Sequence, residues 1–591
     1  MSDEPLSLSA ATARMTATGQ IFELDEQQVR GVVMTVWKHA PATLRDVLAS
    51  TTRHAERDFL VYEERRTTFA EHYRRVATLS QRLHDAGVRA GDRVAIASRN
   101  LPDWVTAFWG IVITGAIAVP LNAWWTSDEL HYGLIDSGAR VLFVDEERLE
   151  RVEPLFDDLI DLTSVVVVTA NEAAGPYSSQ HDRVRVISFN DFIGAVADDV
   201  IPIEVHIDPD DDAAMFYTSG TTGRPKGAVA THRNITTNLM NLFFIGQRAT
   251  LRFGDGTDDT PKYPTANLLN IPLFHATGCL AVMVVNAAAG GTLVMMHHFD
   301  AGKALALIER ERITAIGGVP TVVMQILDHP DFEQFDTSSV RLVSYGGAPA
   351  PPDIVRRIRK AFRLAQPGNG YGLTETAAAV ALNSGPDYVE RPDSCGTAVP
   401  VCRVAIVPDG HQGDEPPAPG GPSMVGEVWI KGPNVVRGYW NKPEETAKSF
   451  TNGWLHTGDI GRIDDDGFIY IVDRAKDMII RGGENVYSVT VEAALFEHPD
   501  VADCAVIGIP HPTLGEEVAA VVVVRPGRSV RAEELSRHVA HRLARFEVPT
   551  RFFFRGEPLP RNPQGKVLKR ELRESRPPCV STKSLQSLTS L

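Results

Sequence analysis

Apolar and polar positions divide the chain into two kinds of pattern. From residue 46 to about 200, short apolar runs such as Arg93-Val-Ala-Ile-Ala97 and Arg140-Val-Leu-Phe-Val144 alternate with longer stretches of helical period. Strands that alternate with helices predict parallel sheets covered by helices. This pattern continues to about residue 400. A Gly- and Pro-rich stretch over 411–422 predicts an exposed loop. Beyond it, the alternation in Glu427-Val-Trp-Ile430 and Gly467-Phe-Ile-Tyr-Ile-Val472 predicts a smaller β-rich unit. The character changes after Asp473: a helix near 489–497, strands at 504–507 and 518–524, and a helix near 531–545 make a set the size of an independent α+β domain. The expected class is therefore α/β. An N-terminal extension over 1–45, a polar lead-in with some helical pattern, precedes a large domain over 46–473. A small domain over 474–575 and a Ser/Thr-rich disordered tail over 576–591 follow.

Two segments, 104–121 and 278–296, are long and apolar enough to suggest membrane spans. Gly110, Gly115 and Pro120 interrupt the first, and Asn286, Gly290 and Gly291 the second. Such breaks suit a helix, a turn and a buried strand, so no transmembrane segment is expected and membrane contact would be peripheral at most. The 591 residues carry a net charge of −16, which opposes binding to nucleic acid or anionic lipid but not to a small anion at a local basic site. One such region is 541–576, with ten Lys or Arg against four Asp or Glu; it reads either as a solvated face or as guidance for a polyanionic substrate. Cys279, Cys395, Cys402, Cys504 and Cys579 are scattered without a C-x-x-C pair, which fits reduced thiols rather than disulfides or a zinc site. The acidic N-terminus lacks the apolar core of a signal peptide, and the final Thr-Ser-Leu does not match the peroxisomal address, so the expected location is cytoplasmic.

The sharpest motif is Tyr217-Thr-Ser-Gly-Thr-Thr-Gly-Arg-Pro-Lys-Gly227, which follows an apolar strand-like run over 213–217. Hydroxyls at Thr218, Ser219, Thr221 and Thr222 and the ammonium of Lys226 can donate to phosphate oxygens. Gly220, Gly223 and Gly227 let the backbone bring its N–H groups close to an anion. It is not a Walker A loop, because no Gly-Lys-Ser/Thr follows at the required spacing.

This loop closely resembles the signature of the acyl-adenylate-forming superfamily, which includes acyl-CoA synthetases, aryl-CoA ligases, luciferases and peptide-synthetase adenylation domains. The resemblance covers roughly 50–570 and extends to four further motifs in the family's order. These are Tyr371-Gly-Leu-Thr-Glu-Thr376, Trp454-Leu-His-Thr-Gly-Asp459, Asp473-Arg-Ala-Lys-Asp477 and Pro563-Gln-Gly-Lys566. It implies that a carboxylate attacks the α-phosphate of ATP to give acyl-AMP and pyrophosphate. Both reactants are anions, so positive charge is needed where they meet.

The resemblance implies a role for each matching residue. Residues 218–222 and Lys226 would cradle phosphate, and Thr374 would meet the α-phosphate. Glu375 would hold Mg²⁺, which takes a carboxylate together with phosphate oxygens. Asp459 would accept the ribose hydroxyls and Arg474 would add a ribose contact. Gly347 and Ala348 would lie beside the adenine, with Asn369, Gly370 and Tyr371 at its edge. Lys566 would bridge carboxylate and α-phosphate. Lys476 would be the pivot about which a mobile small domain turns, and Gly482 and Gly483 would let the CoA arm pass close to the backbone. At the Gly482 position some relatives carry lysine, and Ser488 stands where proline is common; Glu492 matches a recurrent structural carboxylate. Taken singly, Asp459 reads better as a turn cap, Glu375 as a surface carboxylate and Gly346-Gly347 as a plain turn.

Ile271-Pro-Leu-Phe-His-Ala-Thr-Gly278 resembles the family's substrate-side motif. Amino-acid-activating relatives usually place Asp at His275, as counter-ion to an α-ammonium; a neutral histidine offers none. The expected substrate is therefore a carboxylic acid without an α-amino group, a fatty acid first and an aryl acid as the alternative. The expected activity is ATP-dependent acyl-CoA synthesis. A fatty acyl-AMP ligase loading a carrier protein is the alternative, disfavoured because no insertion follows Asp459. An adenylation domain is disfavoured by His275, and an inactive binding protein by Lys566, Glu375 and Asp459.

Overall fold

The computed structural model describes residues 5–169, 177, 181–218, 224–254, 263–347, 353–562 and 566–574, and the backbone of 579–581. Two large sheets form the N-terminal part. In the first, seven strands run in the order Lys226–Thr231, Asp212–Thr218, Ile117–Pro120, Arg93–Ala97, Val141–Asp145, Ser164–Val168 and Arg185–Ser188. In the second, eight run in the order Ala381–Ser384, Gln366–Tyr371, Leu342–Gly346, Ala315–Gly318, Ala266–Leu269, Thr292–Met295, Asp58–Tyr62 and Arg65–Thr68. Both are parallel inside. Antiparallel pairs occur at one edge of the first and at both edges of the second.

The two apolar segments explain the packing. Every residue of the helix Pro102–Val112 is buried, and its side chains share one core with Phe143 of the first sheet and Leu269 of the second. A helix buried on every side is what an element between two sheets requires. Left-handed Gly115 turns the chain into the strand Ile117–Pro120. The second segment is a π-helix over Thr277–Met283, the helix Val284–Ala289, a left-handed Gly290 and the strand Thr292–Met295. Among the described residues no helix is long and apolar enough to cross a membrane.

A five-stranded antiparallel sheet holds Arg403–Val407, Gly426–Lys431 and Trp454–Ile463, with Phe450–Thr451 and Ile469–Arg474 alongside. The 411–422 stretch is a loop within it, largely exposed. The small C-terminal domain packs the helices Ser488–Phe496, Ala532–Ala540 and Lys569–Glu574 around a sheet whose long strands are Val501–His511 and Gly515–Val524. The expected helix to 545 ends at Ala540, where Leu543, Phe546 and Val548 turn back onto the small core.

Two expectations need correction. The first 45 residues are more than a lead-in. After the helix Leu8–Met15, the strands Leu24–Val29 and Val32–Trp37 form a hairpin. Its turn residues Arg30 and Gly31 both have positive φ, as a tight two-residue turn demands. Buried Trp37 donates from Nε1 to Asn241 Oδ1 at 2.8 Å, fastening the hairpin to the helix His232–Phe253. In the tail, Cys579–Ser581 pairs antiparallel with Arg551–Phe553, completing the ladder of an open edge strand; disorder therefore does not hold for those three residues. The remainder of the tail lies outside the described residues.

Candidate active site

The site forms where the parallel strands of the second sheet end at their carboxyl side, the usual place for a ligand in such sheets. Strands Leu342–Gly346 and Gln366–Tyr371 set Tyr345 opposite Asn369 and Gly346 opposite Gly370. A Cβ on Gly346 would stand 2.5 Å from the Gly370 carbonyl oxygen, so only glycine keeps this strip flat and close. Next to it, left-handed Gly347 has Lys566 Cε 3.9 Å from the position a Cβ would take. The structure thus brings the lysine of the C-terminal motif, more than two hundred residues away in sequence, against the glycine strip. Ala348 lies outside the described residues.

Strand register brings Asp459 opposite Arg474, and the pair closes at 3.0 Å between Arg474 Nε and Asp459 Oδ1. Asp459 is 4 % exposed, and its Oδ2 accepts from the Tyr371 hydroxyl at 2.9 Å. Burial, reinforced by Asp459, pushes the Tyr371 hydroxyl well above its ordinary range, so it stays a donor. The three residues form one wall.

Thr374 and Glu375 lie in the short 3-10 turn Thr374–Thr376. Ala377 and Ala378 follow with φ of 50° and 103°, a conformation that non-glycine residues hold only when their surroundings enforce it. Thr376 Oγ1 accepts from Leu373 N at 2.9 Å and meets the Ala378 carbonyl at 2.9 Å, which fixes the turn. Glu375 Oε1 accepts from the Tyr439 hydroxyl at 2.9 Å; among the described residues no hydrogen bond goes to Oε2. One carboxylate with a free oxygen suits Mg²⁺ completed by phosphate oxygens and water. Among the described residues no cluster of three His, Cys, Asp or Glu offers an all-protein cage instead.

The phosphate-type loop connects two antiparallel strands, with Thr218 opposite Lys226. Ser219, Gly220, Thr221 and Thr222 lie outside the described residues. The Lys226 ammonium is ion-paired with Glu445 and sits 5.2 Å from the Tyr439 ring centre. Tyr439 therefore touches both Lys226 and Glu375. Neither Tyr439 nor Glu445 was expected from the motifs; the one local sign is the aromatic pair of Gly438-Tyr439-Trp440.

Lys566 is held by reciprocal bonds to Asn562: its N–H donates to Asn562 Oδ1, and its carbonyl accepts from Asn562 N, both at 2.9 Å. Burial, and then the neighbouring Arg474, lower its pKa to about 8, against the pull of Asp459 and Glu375. His275 is pushed down to about 3 by burial, with the charge of Lys566 adding to the effect, so it is neutral near pH 7. Lys476 is likewise lowered, by burial and then Arg474. Lys566, His275, Gly347, Glu375, Asp459, Arg474 and Lys476 are thus one electrostatic neighbourhood. Gly482 and Gly483, with φ of 64° and 89°, form the tip of the hairpin Ile479–Arg481 and Glu484–Val486; the hairpin alone accounts for both glycines.

The substrate-side segment is rigidly seated. A Cβ on Gly278 would stand 2.3 Å from the Pro272 carbonyl oxygen, so the π-helix packs directly on the backbone before His275. Buried Asn238 donates to Leu280 O at 3.2 Å and accepts from Ala379 N at 2.9 Å. It ties the π-helix to the turn that carries Glu375, another link the motifs did not reveal.

Comparison with known proteins gives concordant matches. The model of the AMP-binding enzyme family matches residues 48–440, and that of the AMP-binding enzyme C-terminal domain matches 490–566. The chain is 38% identical to feruloyl-CoA synthase of Amycolatopsis sp over 507 residues, 86% of this chain and 93% of that protein. It is 34% identical to the long-chain-fatty-acid–CoA ligase FadD13 of Mycobacterium tuberculosis over 519 residues, 87% of this chain and 94% of that protein. Among solved structures, o-succinylbenzoate CoA synthetase of Bacillus subtilis in complex with ATP and magnesium ion superposes with a TM-score of 0.71 at 30% identity, covering 88% of this chain and 98% of that one.

Proposed function

Because this chain belongs to the AMP-binding enzyme family and is an ATP-dependent, AMP-forming acid–CoA ligase, we propose that it activates an apolar carboxylic acid lacking an α-amino group. One observation carries the reading: His275, at the substrate-side motif, is half-buried and neutral, and the cation Lys566 is a charged neighbour. An α-ammonium brought there would meet the positive charge of Lys566, and neither a neutral histidine nor an ammonium can serve as its counter-ion. The π-helix that follows packs Cys279, Leu280 and Met283, all buried and apolar, into the adjoining core.

In the proposed reaction the acid's carboxylate and the α-phosphate converge on Lys566. The two negative groups repel, and a half-buried ammonium is worth more there than in water. Thr374 would donate to the α-phosphate, and Asp459 with Arg474 would seat the ribose. Mg²⁺, when bound by Glu375, would neutralise phosphate charge. Tyr439 holds Glu375 in place for that purpose. The resulting acyl-AMP is then open to attack by the CoA thiol, with AMP leaving. Lys476 as the pivot between the two half-reactions is part of the same reading.

The fatty acid is the first candidate, supported by the 34% identity to FadD13. The 38% identity to feruloyl-CoA synthase favours an aryl acid as a second reading. A panel of fatty, aryl and amino acids with ATP, Mg²⁺ and CoA, scored for AMP and thioester, tests both. Thioester from a fatty or aryl acid is expected. Preference for an α-amino acid, or AMP release without thioester for every acid, would overturn the reading.

A further inference from the structure

The turn that carries Thr374 and Glu375 leads into Ala377 and Ala378, whose positive φ must be enforced by their surroundings. The next residue, Ala379, is gripped at both of its backbone polar groups by the helix His232–Phe253. Its N–H donates to Asn238 Oδ1 at 2.9 Å, and its carbonyl accepts from Asn241 Nδ2 at 3.3 Å. Asn238 and Asn241 lie three apart on one helix face, and both are fully buried. The oxygen of the Asn241 amide accepts from Trp37 Nε1 at 2.8 Å. An indole can only donate. Trp37 therefore fixes which way the Asn241 amide faces and turns its N–H groups toward Ala379. With that amide reversed, oxygen would face oxygen.

The tip of the same hairpin reaches the turn by a second route. Arg30 Nη2 donates to the Val435 carbonyl at 2.7 Å, and that carbonyl also accepts from Asn234 Nδ2 at 3.0 Å. The N–H of the same peptide, on Val436, donates to the Glu375 carbonyl at 2.9 Å. Beside it, Asn434 Nδ2 donates to Thr376 O at 3.0 Å. We infer that Trp37 and Arg30 of the N-terminal hairpin are positioning residues for acyl-AMP formation, acting through Asn241 and Val435 on the turn of Thr374 and Glu375. The hairpin lies ahead of residue 48, where the match to the AMP-binding enzyme family begins. This role depends on the reading of Thr374 and Glu375 as the residues that meet the α-phosphate and Mg²⁺. An outer contact that orients such a residue is typically worth about 10–100-fold in activity.

The test uses the full-length protein with two separate substitutions. Trp37→Phe keeps an aromatic ring beside Phe22 and Phe244 and removes the donor. Arg30→Met keeps the stem and removes the guanidinium. Each should form acyl-AMP about tenfold or more slowly, yet convert supplied acyl-AMP to thioester at the wild-type rate. In the ligand-free variants, hydrogen exchange of the 374–380 amides should quicken by about tenfold, the loss of one hydrogen bond, while that of the strand Arg93–Ala97 stays unchanged. A merely structural role would slow both half-reactions together. Equal loss of both half-reactions, wild-type acyl-AMP formation, unchanged exchange at 374–380, or failure of both variants to fold would overturn the inference. Glu375→Gln separates this result from the assignment beneath it. Normal acyl-AMP formation by Glu375→Gln would remove the role of Glu375 itself; slow formation there with wild-type rates in both hairpin variants would remove only the role of the hairpin.

Discussion

Lys566 and Lys569 stand three residues apart, both largely withdrawn from water, in opposite surroundings. The Lys569 ammonium lies 2.8 Å from Glu492 Oε1 and 2.7 Å from Ser488 Oγ. Burial alone would lower its pKa, but Glu492 and then Asp473 overcome that and raise it. Lys566 faces the other way, into the cleft, and among the described residues it makes no ion pair; its pKa falls to about 8. A partnered lysine secures a fold. A half-buried lysine with no ion pair among the described residues carries charge that an incoming anion can use.

Removing the partnered lysine separates the two roles. Lys569→Ala leaves Glu492 buried, 6 % exposed and without its cation. It should cost about 3–5 kcal/mol of stability in urea unfolding, while pyrophosphate exchange per folded molecule persists. Loss of exchange in a fully folded Lys569→Ala protein would erase the distinction between the two lysines. A smaller effect is expected at Ser488. Its N–H and its hydroxyl both bind the carboxylate of buried Asp473, at the end of the strand that leads to the small domain. Proline has no N–H to give. Ser488→Pro should therefore lose about 1.5–3 kcal/mol; an unchanged unfolding midpoint would show that the bond does not matter here.

Much of the fold was legible because its strands are buried on both faces and read as continuous apolar runs, as at Arg93–Ala97 and Val141–Asp145. The hairpin over Leu24–Val29 and Val32–Trp37 was not, because its first strand is polar and mostly exposed and its anchor, Asn241, lies two hundred residues on. The site divides in the same way. Asp459, Glu375 and Lys566 sit in motifs dense with glycine, proline and hydroxyl residues. Tyr439 and Asn238 act through partners that only the folded chain brings near, and a lone aromatic or a helical asparagine carries no local signature. Lys226 lay in the clearest motif, yet its pairing with Glu445 could not be read from spacing.

One cation from the small domain, Lys566, is proposed to neutralise the meeting of carboxylate and phosphate. The direct measurement follows the two half-reactions separately in the wild type and in Lys566→Ala, across pH. The ammonium is present below its pKa of about 8 and lost above it. Wild-type kcat/KM for acyl-AMP formation should therefore fall above pH 8, by about tenfold per unit. Lys566→Ala should form acyl-AMP ~10²–10³-fold more slowly, without that fall, and still convert supplied acyl-AMP to thioester. A variant that adenylates at the wild-type rate, or loses both half-reactions equally, would rule out Lys566 as that cation.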